Sequence, residues 1–313
     1  MDIDVVLYVA NVAFNTVIIA MDVAIIFVAI KTREIKKQLF LWTIFLCMSM
    51  DIAVYLNTVI HDVPSFAMDT DIFETREEAY ISVLLLHLQW FSQLFALLVL
   101  AALHFMAVFT PTKFRTVLPR HMQMTNIFIV LIGILLTVPM FTPYCGFTYL
   151  VHSHYWYLDL SKPYSYLYQN LNLALQTMCA VVVACADAVI IWKIRTLRIV
   201  AANKHKITVP PTAAAMLETI IRKERINREV RVAINFLFLS VCFLVMTIVY
   251  NFPFRKGTWY DFLFKLTSNF NLSKWAIYTL ENVKIRQGVL NLCRCRPIEP
   301  LRPSSAVTVV PAR

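Results

Sequence analysis

The sequence predicts an all-α membrane protein. The expected fold is a bundle of seven transmembrane helices, amino terminus outside and carboxyl terminus inside, with a short amphipathic helix after the last span. Three observations carry this. Hydrophobic residues make up 59% of the 313 positions and charged residues 15%, against about 45–50% and 25% in soluble domains. Apolar stretches of bilayer-crossing length, roughly 20 residues, recur along the chain. Lysine and arginine gather in alternate loops.

The spans fall at about 5–30, 39–60, 80–110, 122–141, 168–192, 232–252 and 259–281. In hydrocarbon each segment must satisfy its own backbone groups, which selects helices, and the period-two alternation of a membrane barrel is absent. The first span lacks a basic leader and a small-residue cleavage site, so it reads as a retained signal anchor. Its Asn11, Asn15 and Asp22 lie within about 40° of one another on a helix, a stripe that must face protein. The last span is crowded by Lys265, Thr267, Ser268, Asn269, Asn271, Ser273 and Lys274. Residues 193–231 read as extensions of the fifth and sixth spans around a kink at Pro210-Pro211. No repeat or linker divides the chain, so residues 1–313 form a single domain whose residues 282–313 are a cytoplasmic tail. In that tail Ile285, Val289 and Leu292 share one side of a helix, with Lys284 and Arg286 near headgroups.

Orientation follows from the basic residues. The loop after the first span, the loop after the third, residues 193–231 and the tail hold twenty-three of the 29 lysines and arginines. The alternate loops hold few, and the first of them carries Asp62, Asp69, Asp71, Glu74, Glu77 and Glu78. The net charge of +10 is thereby assigned to headgroups of the lipid bilayer, and no nucleic acid is expected as a partner.

Only four glycines occur, at spacings that exclude a Walker loop, a GxGxxG turn and a GxSxG elbow. No HExxH and no nucleophile–base set is visible, so the chain is not expected to be an enzyme and no cofactor is expected. His152-Ser153-His154 with Cys145 is the one candidate metal set, and a loop carrying so few ligands predicts no metal site. The same loop, 142–167, is rich in aromatic residues. A belt at the membrane interface is the preferred explanation, a lid over a pocket the other.

Charges inside spans cost on the order of 2.5–3.5 kcal/mol each on insertion scales and must face the bundle interior. Asp22, Asp51, Asp187, Lys265 and Lys274 are such residues. They suit the switch network of a receptor or the ion path of a transporter equally.

A resemblance separates the two. Residues 103–114, LHFMAVFTPTKF, are similar to the DRYxAVxxPxxY end of the third span in rhodopsin-like receptors, with Leu103 for the acid and His104 for the arginine. Asp51 in SMDIA resembles the midspan aspartate of that family. Cys242-Phe243-Leu244-Val245 resembles CWxP, and Tyr278 matches the tyrosine of NPxxY, with Lys274 at its asparagine. The run Ile277, Tyr278, Asn282, Ile285, Arg286 looks like the end of nematode serpentine chemoreceptors, of the Srx-like classes of the Srg superfamily.

The resemblance implies a multi-pass receptor of the plasma membrane, a transducer for sensory perception that is G-protein coupled. Its implied partners are a heterotrimeric G protein and a small-molecule chemical ligand; a membrane transporter or ligand-gated channel is the alternative. The implied ligand face is His87, Trp90 and Phe91 on the third span, with Phe243 as its floor. The implied switch network is Asp22, Asp51, Lys274 and Tyr278, with a direct Lys274–Asp51 ion pair. The implied G-protein-facing residues are His104 and Phe105. Where the family's tethering cysteine would lie stands Ala79, so Cys145 is expected to be a free thiol. Leu86 and Ser268 stand where an amine-binding aspartate and a retinal lysine would be.

Overall fold

A computed structural model describes residues 3–73, 75, 77–151, 154–205, 234–235, 237–251 and 258–297. Arg76, His152, Ser153, Pro210, Pro211 and residues 298–313 lie outside that set, and with them the kink and the rest of the candidate metal set.

The protein is an all-α, multi-pass membrane protein. Five helical stretches are long and apolar enough to cross a bilayer: Ile3–Lys31, Phe40–Met68, Tyr80–Phe109, Pro119–Phe141 and Ser165–Thr196. They hold large apolar side chains outward, such as Phe14, Phe27, Phe128 and Trp192. That surface is a liability in water and the natural one in hydrocarbon. Two further helices follow, a shorter apolar one at Leu237–Tyr250 and the polar-crowded Thr258–Leu280.

Helix α1 (Ile3–Lys31) buries the stripe Ile19, Asp22, Ile25 and Val28. Helix α2 (Phe40–Asn57) does not stop at 60 as the sequence suggested. It passes through a π turn, Thr58–Asp62, into α3 (Val63–Met68). Proline at the start of α3 is the physical cause: Pro64 has no N–H to give to the preceding turn, and widening that turn absorbs the loss. Asp69, at φ 51°, ends the helix.

Helix α4 (Tyr80–Phe109) is the axis, packed against α2, against α6 (Pro119–Thr137) and against α7 (Ser165–His205). Gly133 permits the α4–α6 approach, since a Cβ there would lie 2.8 Å from Leu88 Cδ1. Short α5 (Pro111–Thr116) begins at the proline that ends α4. Helix α7 continues well past residue 192, as the charged extension predicted.

Residues 142–164 differ from expectation. Strands β1 (Phe147–Leu150) and β2 (Tyr155–Leu158) pair antiparallel, Tyr149 opposite Trp156. Tyr149, Trp156, Tyr157 and Leu158 are buried with Val83, Met140 and Cys145. Tyr149, Trp156 and Tyr157 face protein in a packed hairpin, whereas Tyr144, Tyr164 and Tyr166 of the same loop are exposed, as a belt would have them. Cys145 is a buried thiol that enters no disulfide.

Helix α8 (Leu237–Tyr250) and α9 (Thr258–Leu280) complete the bundle. Helix α9 packs along α1, where Asn269 Nδ2 donates to Asn11 Oδ1 at 2.7 Å. Its Lys265, Thr267, Asn271 and Lys274 are buried, so its polar residues turn inward. Helix α10 (Val283–Cys293) is the expected amphipathic helix, capped by Asn282, with Ile285 and Val289 buried; Leu292, expected on the same side, is exposed. Gly288 seats it on α1, because any Cβ there would overlap Val28.

At that end a buried carboxylate ties the first loop to α10. Glu34 Oε1 meets Lys37 Nζ at 3.0 Å and Lys284 Nζ at 3.5 Å. Burial acts to raise the acid's pKa, but the Lys37 hydrogen bond and the charges of Lys284 and Lys37 outweigh it and hold the carboxyl below its ordinary value. A lowered pKa adds stability that is complete above the ordinary value and is lost as pH falls through the lowered one. Glu34→Gln is expected to lower the melting temperature in detergent at neutral pH and to flatten its further fall between about pH 5 and pH 3, the window around an ordinary glutamate pKa of ~4.3. Parallel wild-type and variant pH curves would remove Glu34 from this role.

Candidate functional site

The middle of the bundle holds a polar relay built by three helices. Asp51 Oδ1 on α2 accepts from Gln89 Nε2 at 2.6 Å and from Gln93 Nε2 at 2.7 Å, both on α4. The oxygen of the Gln93 amide accepts from Lys274 Nζ at 2.8 Å and from Asn271 Nδ2 at 2.9 Å, on α9. Lys274 also donates to Asn271 Oδ1. The ammonium lies over the Trp275 ring at 4.8 Å and the Phe243 ring at 5.5 Å, close enough for cation–π attraction.

The expected direct Lys274–Asp51 ion pair does not form; Gln93 stands between the two charges. A primary amide has a donor end and an acceptor end, so one side chain satisfies an anion and a cation at once. Asp22 does not join Lys274 either. It is fully buried on α1, and neither carboxyl oxygen has a hydrogen-bond partner among the described residues. Tyr278 is half-buried against the apolar core. Of the four expected switch residues, Asp51 and Lys274 are joined, and only through a residue the sequence reading passed over.

A second cluster closes the opposite end from α10. His61, in the π turn and fully buried, has Nδ1 2.8 Å from Asp62 Oδ1 and Nε2 2.9 Å from Asp71 Oδ1. Both carboxylates also accept elsewhere, Asp62 from Trp156 Nε1 at 3.0 Å and Asp71 from the Phe73 amide at 3.0 Å. Only a doubly protonated ring donates from both nitrogens, so this geometry is that of an imidazolium between two anions. Phe73 stacks on the ring at 4.2 Å, and Tyr149 and Trp156 lie at 5.0 Å. Burial and the charge of Asp62 hold the Tyr149 phenol above its ordinary pKa, so it stays neutral. The hairpin, without a disulfide, is held to α2 by this cluster.

Beneath the hairpin lies a cavity of about 230 Å³ reached by α1, α2, α4, α7, α8 and α9. His87 and Trp90 line it, as expected. His87 has Nδ1 2.9 Å from the Val83 carbonyl and its ring against Phe147 at 4.6 Å. Phe91 does not line it: it is buried in the core beside Gly133 of α6, on the far flank of α4. Phe243 supports the wall at one remove, 5.3 Å from Trp90, and itself lines a separate apolar cleft of about 180 Å³ between α4, α7 and α8. His104 is buried at the other end of α4, while Phe105 stacks on Phe109 at 4.4 Å and is exposed. In this arrangement His104 is buried and Phe105 is exposed.

Gln89, Gln93, His61 and Trp156 were missed. Gln89 and Gln93 had a signal, since two amides at i, i+4 inside an apolar span must meet polar partners. His61 had a weaker one in Pro64, which forces the irregular turn that carries it. No protein-family model matches the chain, and no curated protein matches it. Among the described residues no group of metal-ligating side chains is assembled.

Gln93→Leu is expected to cost on the order of 2–4 kcal/mol, because it leaves an ammonium and a carboxylate short of a partner in the core. The measurement is the melting midpoint of the purified protein, and a variant as stable as wild type would show the relay to be dispensable. His61→Asn cannot carry the positive charge. Amide hydrogen exchange across 147–158 is expected to rise at least tenfold with α4 protection unchanged; equal exchange would mean that apolar packing alone holds the hairpin.

Proposed function

We propose that the protein is a seven-helix receptor of the plasma membrane for a small chemical ligand, coupled to a heterotrimeric G protein and similar to the nematode serpentine chemoreceptors. In this reading α8 and α9 are the sixth and seventh spans. Both fit the count: α8 is apolar, and α9 turns its polar residues inward. The basic loops are cytoplasmic, the hairpin and the acidic 61–79 loop are outside, and α10 lies along the inner surface.

The observation that carries the reading is the continuity between cavity and core. Asp51 lines the cavity and is bonded through Gln93 to Lys274, whose ammonium rests on Phe243 of α8. A ligand that changes how Asp51 is satisfied changes the pull on Gln93 and Lys274, and so the seat of α8 against α4. Ligand binding drives such a shift only through its different affinity for the two helix arrangements. Opening α8 away from α7 would expose the inner end of the bundle, where Phe105 already points outward and His104 would become accessible. The basic stretch 193–231 meets the G protein and the anionic leaflet.

One observation favours a second reading. Asp22 is a buried acid without a hydrogen-bond partner among the described residues, as a proton-coupled transporter or ligand-gated channel would use. Cells expressing the protein separate the two. With an odorant panel the receptor reading expects second-messenger responses without current or uptake, an amino-terminal epitope stained on intact cells, and a carboxyl-terminal one stained only after permeabilisation. Ligand-gated current without G-protein activation, or the reverse staining, would overturn it.

A further inference from the structure

The cavity beneath the hairpin has a chemistry of its own. Its charged lining consists of carboxylates, Asp51 and Asp62, and no lysine or arginine among the described residues lines it. Asp62 is engaged by Trp156, Thr58 and His61. Asp51 is not fully engaged. Gln89 and Gln93 both donate to Oδ1, while Oδ2 is buried with no partner among the described residues, on a residue only 1% exposed. Two further lining groups are buried without partners among the described residues, the acceptor Asn172 Oδ1 and the donor Trp90 Nε1. Aromatic rings, among them Trp90, Tyr155, Tyr250 and Phe264, form much of the remaining wall.

The geometry points to a small organic ammonium compound as the ligand, its N–H donating to Asp51 Oδ2 and its carbon skeleton lying against the aromatic wall. An ammonium supplies the positive charge and the donor that Oδ2 lacks, and the ring faces add cation–π attraction. An anion finds no lysine or arginine among the described lining residues and meets the carboxyl groups of Asp51 and Asp62. A neutral compound leaves the buried oxygen with a weaker donor, at a cost of the kind that discriminates strongly between ligands. A bare metal ion does not fill about 230 Å³, room for several waters at roughly 30 Å³ each, and aromatic walls do not ligate it. Leu86, rather than an acid, occupies the position from which an amine would be held in the receptors this chain resembles. The anchor here comes instead from α2, deeper in the bundle. The inference deepens the receptor reading and rests on it for the step from binding to signalling.

The test uses the full chain in nanodiscs of zwitterionic lipid with three probes of one shape: phenethylammonium, phenethyl alcohol and hydrocinnamate. Saturable binding is read by saturation-transfer NMR and by the melting midpoint. Phenethylammonium is expected to bind at least tenfold more tightly than the alcohol, and hydrocinnamate not at all. Asp51→Asn is expected to erase the preference of amine over alcohol, and Trp90→Leu to weaken both alike. The wild-type series stands by itself if Asp51→Asn fails to fold. Equal binding of amine and alcohol would overturn the proposal. So would an amine preference that survives Asp51→Asn, a sodium chloride effect that reproduces and competes away that of the amine, or no saturable binding of phenethylammonium. Amine binding without any second-messenger response would leave the ligand class standing and remove the receptor reading. A G-protein response to neutral odorants with no amine binding would do the reverse.

Discussion

The rest of the interior depends on one amide. Gln93 lies at the meeting of α2, α4 and α9, with Asp51 on its donor end and Lys274 on its acceptor end. Two opposite charges in a medium of low dielectric attract strongly, yet each loses far more hydration than a surface pair does, and a direct contact uses only one of the several bonds each can make. The amide spaces the charges and lets both make further bonds: Asp51 with Gln89, Lys274 with Asn271 and the rings of Trp275 and Phe243. Helix positions follow, because α9 must bring Lys274 to α4 and α2 must bring Asp51 there. The polar content that makes α9 a poor membrane span by composition is what binds it to the bundle.

The hairpin end solves a different problem by related means. A β hairpin of two short strands is marginal alone, and Cys145 forms no covalent link to the bundle. Apolar packing supplies one attachment, Tyr149, Trp156 and Leu158 against Val83 and Met140. The His61 cluster supplies the other and gives it direction: a buried ring between two carboxylates, one of which also holds the indole of Trp156. The π turn sets this up by turning His61 and Asp62 toward the hairpin, so a proline in the helix has a consequence at the roof of the cavity. The two clusters bracket the cavity, the His61 group above and Asp51 below.

Much of this was legible in the chain. Composition and span length implied helices in lipid. The stripe Asn11, Asn15 and Asp22 had to face protein, and Asn11 meets α9 while Asp22 is buried. Spacing on α4 put His87, Trp90 and Phe91 on one face and the resemblance implied a pocket there; His87 and Trp90 line the cavity, while α6 claims Phe91 because Gly133 leaves room there. Lys274 and Asp51 were recognised as a buried pair of opposite charges. Gln93 was passed over because a neutral amide in an apolar span carries no charge to account for.

Local chemistry, then, was determined by the sequence alone: which segments are helical and apolar, which charges cannot face lipid, which loops are basic. These follow from the properties of each residue and its near neighbours, which a linear chain displays. Only the tertiary structure decided which buried groups are satisfied and by whom. A hydrogen bond is short and directional, so whether Lys274 meets a carboxylate or an amide depends on the rotation and depth of three helices far apart in sequence. The same holds for the hairpin: an aromatic loop suits a membrane interface or a protein interior equally by composition, and Trp156 became interior because Asp62, in a turn ninety-four residues earlier, holds its indole N–H at 3.0 Å.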